Sequence, residues 1–366
     1  MNWKFLSRTN TASAKPKSAI REWLHAIGFA LVVSTIIRGL LFSAYAIPSG
    51  SMEGTQLTGD YLFVSKISYG PRIANTPLAI PFLEPKVGNF KTYWDGLQLP
   101  YLRLPGLSHI KNQDIVVFNK PDEAGPEYNL PTDERTCLIK RCQAIPGDVL
   151  SIVNSQVYIN GKAAPNAPKL QTSYTVVTNG LDINTEVINE LRIAILGQTA
   201  PNTFVMNMSV AAANTIKTYS NVKSIVADFQ TSGRYDAAIF PHHENFKWNL
   251  DNYGPIRLPK KGWTVSLTDS TLTLYRRAIE VYENNKVAVN GKNILINGSK
   301  ASSYTFKMDY YWMMGDNRHN SLDSRYWGYV PEDHIVGKAM LTIFSTDSTK
   351  NVFSRVRWDR VLRPIE

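Results

Sequence analysis

Cysteine is nearly absent: the 366-residue chain has two, Cys137 and Cys142. Five positions apart, they would face opposite sides of a single strand, which argues against a mutual disulfide. Two thiols with no neighbouring histidine do not make a zinc site either. They are expected to be small buried hydrophobes, and no metal or cofactor is expected. Histidine is scarce as well, with six. His25 falls in the apolar N-terminal stretch, and His109, His242, His243, His319 and His334 have no evident acid partner in a triad order. A Ser-His-Asp catalyst is therefore not indicated. Long basic runs are also missing. The net charge of +10 comes from 40 basic and 30 acidic residues scattered along the chain without an aromatic-interleaved patch, so nucleic acid is not expected as a partner.

Long hydrophobic runs are absent but for one, Trp23 to Ile47, reading WLHAIGFALVVSTIIRGLLFSAYAI. At 1.5 Å per residue it is long enough to cross a hydrocarbon core of about 30 Å. His25 lies near its start, within reach of headgroups, and Arg38 can snorkel toward the far interface. A cleavable signal sequence is the competing reading, because SAYAIPSG resembles a small-residue cleavage site. Cleavage after Ala46 would strip the chain down to a bare IPSGSM terminus, so a retained anchor spanning 23–47 is favoured. Lys4, Arg8, Lys15, Lys17 and Arg21 precede it against the single acid Glu22. By the positive-inside rule residues 1–22 form a cytoplasmic basic tail, and everything after 47 lies on the outer side of a single-pass protein.

The 22 glycines and 20 prolines of the chain suit many turns and a strand-rich architecture. DYLFVSKISYG (60–70) contains a short strand, and QDIVVFNK (113–120) has the pattern of a fully buried one. TCLIKRCQAIPGDVLSIVNSQVYINGKAA reads as a strand, a Pro-Gly-Asp turn, and a hairpin ending in Asn-Gly. Asn-Gly recurs at 290–291 and 297–298, an echo of turn type and not of a solenoid repeat. The tract from 165 to 280 is rich in Thr, Asn and Ser and carries no catalytic constellation. The expected organisation is a mainly β ectodomain with its first catalytic part at 48–164, an inserted non-catalytic subdomain at 165–280, and a second catalytic part at 281–366.

AIPSGSMEG, just beyond the apolar run, sets Ser49 and Ser51 in a small-residue turn. A serine hydroxyl needs a base to become a nucleophile. A lysine can serve if burial makes it neutral, since at its unperturbed pKa only roughly one in 2,500 is neutral at pH 7. Lys140 in CLIKRCQAIPGD has the apolar surroundings for that, and Arg141 would point the other way along a strand. Downstream, Asp316, Arg318, Ser321, Asp323 and Arg325 fall within ten positions of one another between Trp312 and Trp327, a density that suggests a fixed polar network.

Three blocks taken in order, IPSGSMEGTQLTGDYLFVSKISYG, IKRCQAIPGD and GDNRHNSLDSRYWGYVP, resemble those of bacterial type I signal peptidases, membrane-bound Ser/Lys proteases that remove signal peptides from exported proteins. The resemblance implies an ectodomain of coiled antiparallel sheets in the bacterial cytoplasmic membrane, facing the periplasmic side. The implied substrates are exported preproteins. It implies Ser51 as nucleophile, Lys140 as general base, and Ser49 with the Ser51 N–H as the oxyanion hole. Ser321 would hydrogen-bond and orient the lysine, Asp323 and Arg325 would form a supporting ion pair, and Ile47 and Ile139 would line a shallow pocket for small side chains. Two departures stand out. Glu53-Gly54 replaces a proline common soon after SGSM, and His319 replaces an acid usual in the last block. Two other readings are a self-cleaving Ser/Lys repressor, which would need a DNA-binding head where this chain has its apolar run, and a membrane-anchored β-rich envelope adaptor.

Overall fold

The computed structural model describes residues 19–80, 83, 85–88, 90–123, 130–347, 349–351 and 354–365. Lys4, Arg8, Lys15 and Lys17, on which the expected basic tail rests, lie outside them. An apolar helix, Ala19–Ile36, continues into a π-helical turn, Ile37–Leu41. Ile20–Leu41 is 22 residues long, is not buried against the rest of the chain, and is long and apolar enough to cross a membrane. The terminal carbonyls of a helix need outside donors. Here the Ser43 hydroxyl donates to Arg38 O at 2.9 Å, the Lys66 amine to Gly39 O at 3.2 Å, and the Lys66 N–H to Leu41 O at 2.9 Å.

The helix is thus shorter than the expected 23–47 span. Phe42–Ala46 is a strand, paired antiparallel with Asp60–Ser65 from Phe42↔Ser65 to Ala46↔Tyr61. A continuous apolar run looks alike as helix or strand, and this one changes from one to the other where Ser43 becomes buried and the pairing begins.

The main sheet orders its strands Phe42–Ala46, Asp60–Ser65, Ile335–Ser345, Ile115–Asn119, Cys137–Ala144, Tyr310–Met314 and Val330–Pro331, with Arg363–Pro364 also on Ile335–Ser345. All of these pairings are antiparallel. Ile115–Asn119 is buried at every position, as its unbroken apolar run implies. Ile115 and Val117 pack with Ile47, Met52, Leu62 and Val64, while Val116 and Phe118 pack with Cys142, Met313 and Trp327. The fold is mainly β.

The tract from 165 to 280 divides differently from the expected single insertion. Strands Gln171–Thr178, Ala194–Ala200, Thr203–Ser209 and Val222–Ala227 form a separate sheet. Helices Thr185–Glu190 and Val210–Ile216 accompany it, and its core includes Val176, Met206, Met208 and Ile216. After that sheet the chain returns: Tyr253–Arg257 pairs with Val149–Val153, and Thr264–Ser266 with Ser303–Thr305. Phe240, Tyr253 and Tyr275 then join Phe306, Tyr310, Trp312 and Tyr329 in one aromatic core. The strand Tyr253–Arg257 is hidden in the sequence because Gly254-Pro255 interrupts its alternation. Its register breaks between Tyr253 and Ile256, where a bulge accommodates the proline.

Candidate active site

Ser51 lies in a one-turn 3-10 helix, Gly50–Met52, between the edge strand Phe42–Ala46 and its neighbour Asp60–Ser65 in the main sheet. The fully buried Met52 side chain anchors this turn in the core, leaving Ser51 half-buried and Ser49 exposed at the N-cap position. The Ser49 side chain makes no capping bond. The first N–H groups of such a turn, that of Ser51 among them, have no intrahelical acceptor. Ile47, buried, and Ile139, half-buried, belong with Met52 to one apolar cluster beside the turn.

Lys140 arrives from the middle of Cys137–Ala144, opposite Val116. Its Nζ donates to Ser51 Oγ at 2.8 Å and to the Ile139 carbonyl at 2.9 Å. It is only 3% exposed. Burial lowers its pKa from 10.5 to about 8, against the pull of Asp323 and Asp316, which raise it. Arg141, on the opposite side of the strand, forks onto Asp316 through Nη2 at 2.8 Å and Nε at 2.9 Å, both partners being buried. Alternation along one strand thus separates an amine whose pKa is lowered by burial from a guanidinium held in an ion pair.

The polar block downstream closes over this pair. Asp316 also accepts the Thr55 hydroxyl at 2.6 Å. Asn317 clamps the serine turn twice, its N–H donating to Ser51 O at 3.1 Å and its Nδ2 to Gly50 O at 2.9 Å. Gly315 has to be glycine, because a Cβ there would overlap Ser321 Oγ and stand 2.5 Å from the Ser51 carbonyl oxygen. Asp323 and Arg325 form a fully buried ion pair at 2.8 Å, and Asp323 also accepts the Gly315 N–H at 3.1 Å. Burial pushes the Asp323 carboxyl up, but Arg325 and the hydrogen bond from the Gly315 N–H together outweigh it and hold the carboxyl below the usual range.

Ser321 differs from expectation. Its hydroxyl makes no hydrogen bond, to Lys140 or to any other described residue, although it lies close enough to Asp323 to help keep that acid ionised. The second bond of the lysine goes to the Ile139 carbonyl, and Ser321 is turned against Gly315.

The histidines and cysteines also differ from expectation. His319 Nδ1 accepts the Ser173 N–H at 3.0 Å and meets the Thr172 hydroxyl at 2.8 Å, so Nε2 donates to Asp251 at 2.9 Å. His334 meets Asp333 at 2.6 Å. Both therefore have acid partners, yet neither hydrogen-bonds to Ser51. Cys142 is buried, whereas Cys137 is exposed, and neither is in a disulfide. Among the described residues, no three His, Cys, Asp or Glu side chains converge as a metal site requires. Sequence reasoning missed Asn317, Asp251 and the pairing of Arg141 with Asp316. The one available signal was that Asn317 stood inside the crowded block.

Comparison with known proteins identifies the family. The family described as signal peptidase, peptidase S26, matches residues 20–207 and 261–344. The stretch between them, 208–260, takes in helix Val210–Ile216 and strand Val222–Ala227 of the separate sheet and then the return of the chain through Tyr253–Arg257. Signal peptidase I of Buchnera aphidicola subsp. Acyrthosiphon pisum is 26% identical over 323 residues, 86% of this chain and 72% of that protein. Signal peptidase I of Rickettsia felis is 30% identical over 157 residues, 42% of this chain and 47% of its own. The match covers most of the chain, including the serine turn, the lysine strand and the polar block, and the chain belongs to the signal peptidase family, peptidase S26.

Proposed function

We propose that this protein is a membrane-anchored serine endopeptidase that removes N-terminal signal peptides from exported preproteins, with Ser51 as nucleophile and Lys140 as general base. The observation that carries the reading is the 2.8 Å contact between Ser51 Oγ and a buried lysine amine to which, among the described residues, no carboxylate is bonded. With a pKa of about 8, roughly one such amine in ten is neutral at pH 7. The neutral amine takes the Ser51 proton as Oγ attacks the scissile carbonyl. The oxyanion accepts from the Ser51 N–H and the Ser49 hydroxyl. The ammonium then protonates the leaving amine of the mature protein, leaving the signal peptide as an ester on Ser51. Water, deprotonated by Lys140, hydrolyses that ester and restores the enzyme. Ile47, Ile139 and Met52 form the wall against which small side chains before the cut would pack. Ile20–Leu41 is the anchor, in a bacterial cytoplasmic membrane, with the β portion on the outer side.

The test is cleavage of a purified preprotein by the detergent-solubilised full chain. Ser51→Ala and Lys140→Ala should each abolish most turnover, and the double variant should be little worse than either, because the two groups act as a unit. Lys140→Arg should fail as well, since a guanidinium does not give up its proton in a protein. Losses that simply multiply would overturn the dyad.

A further inference from the structure

The serine turn is braced from outside the main sheet. Asn207 lies in Thr203–Ser209 of the separate sheet and is only 1% exposed. Its Nδ2 donates to Asn317 Oδ1 at 2.6 Å and to Gln171 Oε1 at 3.2 Å. The polarity of this chain of amides is fixed at both ends by backbone carbonyls, which can only accept. Gly50 O takes a hydrogen bond from Asn317 Nδ2 at 2.9 Å, so Asn317 must turn its Oδ1 toward Asn207. At the other end Arg192 O takes one from Gln171 Nε2 at 3.4 Å, so Gln171 also presents its oxygen to Asn207. Asn207 thus faces two acceptors, and turning its amide over would set oxygen against oxygen twice.

We infer that Asn207 is a positioning residue that aims the Ser51 N–H through Asn317, an inference that rests on Ser51 being the nucleophile. The Gly50 carbonyl and the Ser51 N–H belong to one planar peptide unit and point in opposite directions. Whatever fixes the carbonyl therefore fixes the N–H. The second clamp, Asn317 N–H to Ser51 O, fixes the next peptide unit in the same way. Asn207 keeps the Asn317 amide the right way round by supplying the only donor that meets Asn317 Oδ1 among the described residues. The separate sheet, which brings no group to the serine or the lysine, acts on the oxyanion donor by way of two side-chain amides.

A carboxylate at this position keeps the shape and removes the donor. It draws the Asn317 Nδ2 toward itself, leaves Oδ1 facing Gly50 O, and tilts the peptide that carries the Ser51 N–H. Asn207→Ala removes one partner but does not reverse the amide. Preprotein cleavage by the full chain at pH 8–9 should therefore show Asn207→Asp at least about tenfold below wild type in kcat, with KM within about twofold, as for a misaimed oxyanion donor. Asn207→Ala should lie between the two. The Asn207→Asp deficit should shrink as pH falls, because protonation of the introduced carboxylate restores an O–H donor. In an Asn317→Ala background, Asn207→Ala should cost nothing further.

Wild-type kcat in Asn207→Asp overturns the inference. So does a greater loss in Asn207→Ala than in Asn207→Asp, the order that simple packing would give, and so do multiplying losses in the double alanine variant. If Asn207→Asp does not fold by thermal unfolding, the alanine pair decides alone. Ser51→Ala, run in parallel, separates the two ideas: activity there sinks the assignment of the nucleophile, whereas an inactive Ser51→Ala beside a fully active Asn207→Asp sinks only the role of Asn207.

Discussion

At the scale of single residues, Lys140 carries a conflict between stability and activity. Its folded pKa of about 8 lies below the unfolded value near 10.5. At pH below 8 the amine is charged in both states, and burying it costs on the order of 3 kcal/mol. Between pH 8 and 10.5 the unfolded chain binds more protons, so stability rises with pH across that window. Lys140→Met should therefore be more stable than wild type at pH 7, by thermal unfolding, with the advantage shrinking as pH approaches 10.5. Wild-type kcat/KM should rise with pH through about 8, following the fraction of neutral amine; a flat profile would argue against lysine as the base. Gly315 bears on the same centre through sterics. Gly315→Ala should lose nearly all turnover, and Ser321→Gly should not rescue it, because the clash with the Ser51 carbonyl remains at 2.5 Å.

At the scale of elements, one strand supplies two charges of different fate, and the sequence showed that alternation. The apolar flanks of Lys140 signal its burial, and QDIVVFNK and the Asn-Gly hairpin likewise read correctly, because period and turn chemistry are local. Asn160 and Gly161 both adopt positive φ at that hairpin turn, as do Asn297 and Gly298 at the later one. Asn317, Asn207 and Asp251 were not legible, because an amide or a carboxylate in a polar stretch gives no sign of partners 68 to 267 positions away. The orientation expected of Ser321 failed for a related reason: a hydroxyl has several staggered directions, and the neighbouring Gly315 leaves room for one away from the amine. The Arg141–Asp316 pair ties the lysine strand to the block that clamps the serine turn. Asp316→Asn removes the carboxylate onto which the buried Arg141 guanidinium forks and should destabilise the fold by about 3–5 kcal/mol in denaturant titration. A loss below about 1 kcal/mol would mean that water reaches Arg141.

At the scale of the whole molecule, the apolar helix passes into the main sheet with no linker: Leu41 ends the one and Phe42 begins the other. In sealed membranes of the proposed orientation, externally added protease should digest the chain beyond the helix and spare only the helix and its short basic leader. Protection of the β portion would reverse the orientation. The same junction governs how a water-soluble enzyme can be obtained by truncation. Starting at Pro48 looks natural from hydropathy alone, but it would remove the outermost strand and leave Asp60–Ser65 as a raw edge with unpaired N–H and C=O groups. A fragment that begins near Ile37 keeps that strand and the Ser43 hydrogen bond to Arg38 O. Light scattering should find the longer fragment monodisperse and the shorter one aggregated, so the five residues Phe42–Ala46 decide whether the β portion stays in solution without the apolar helix.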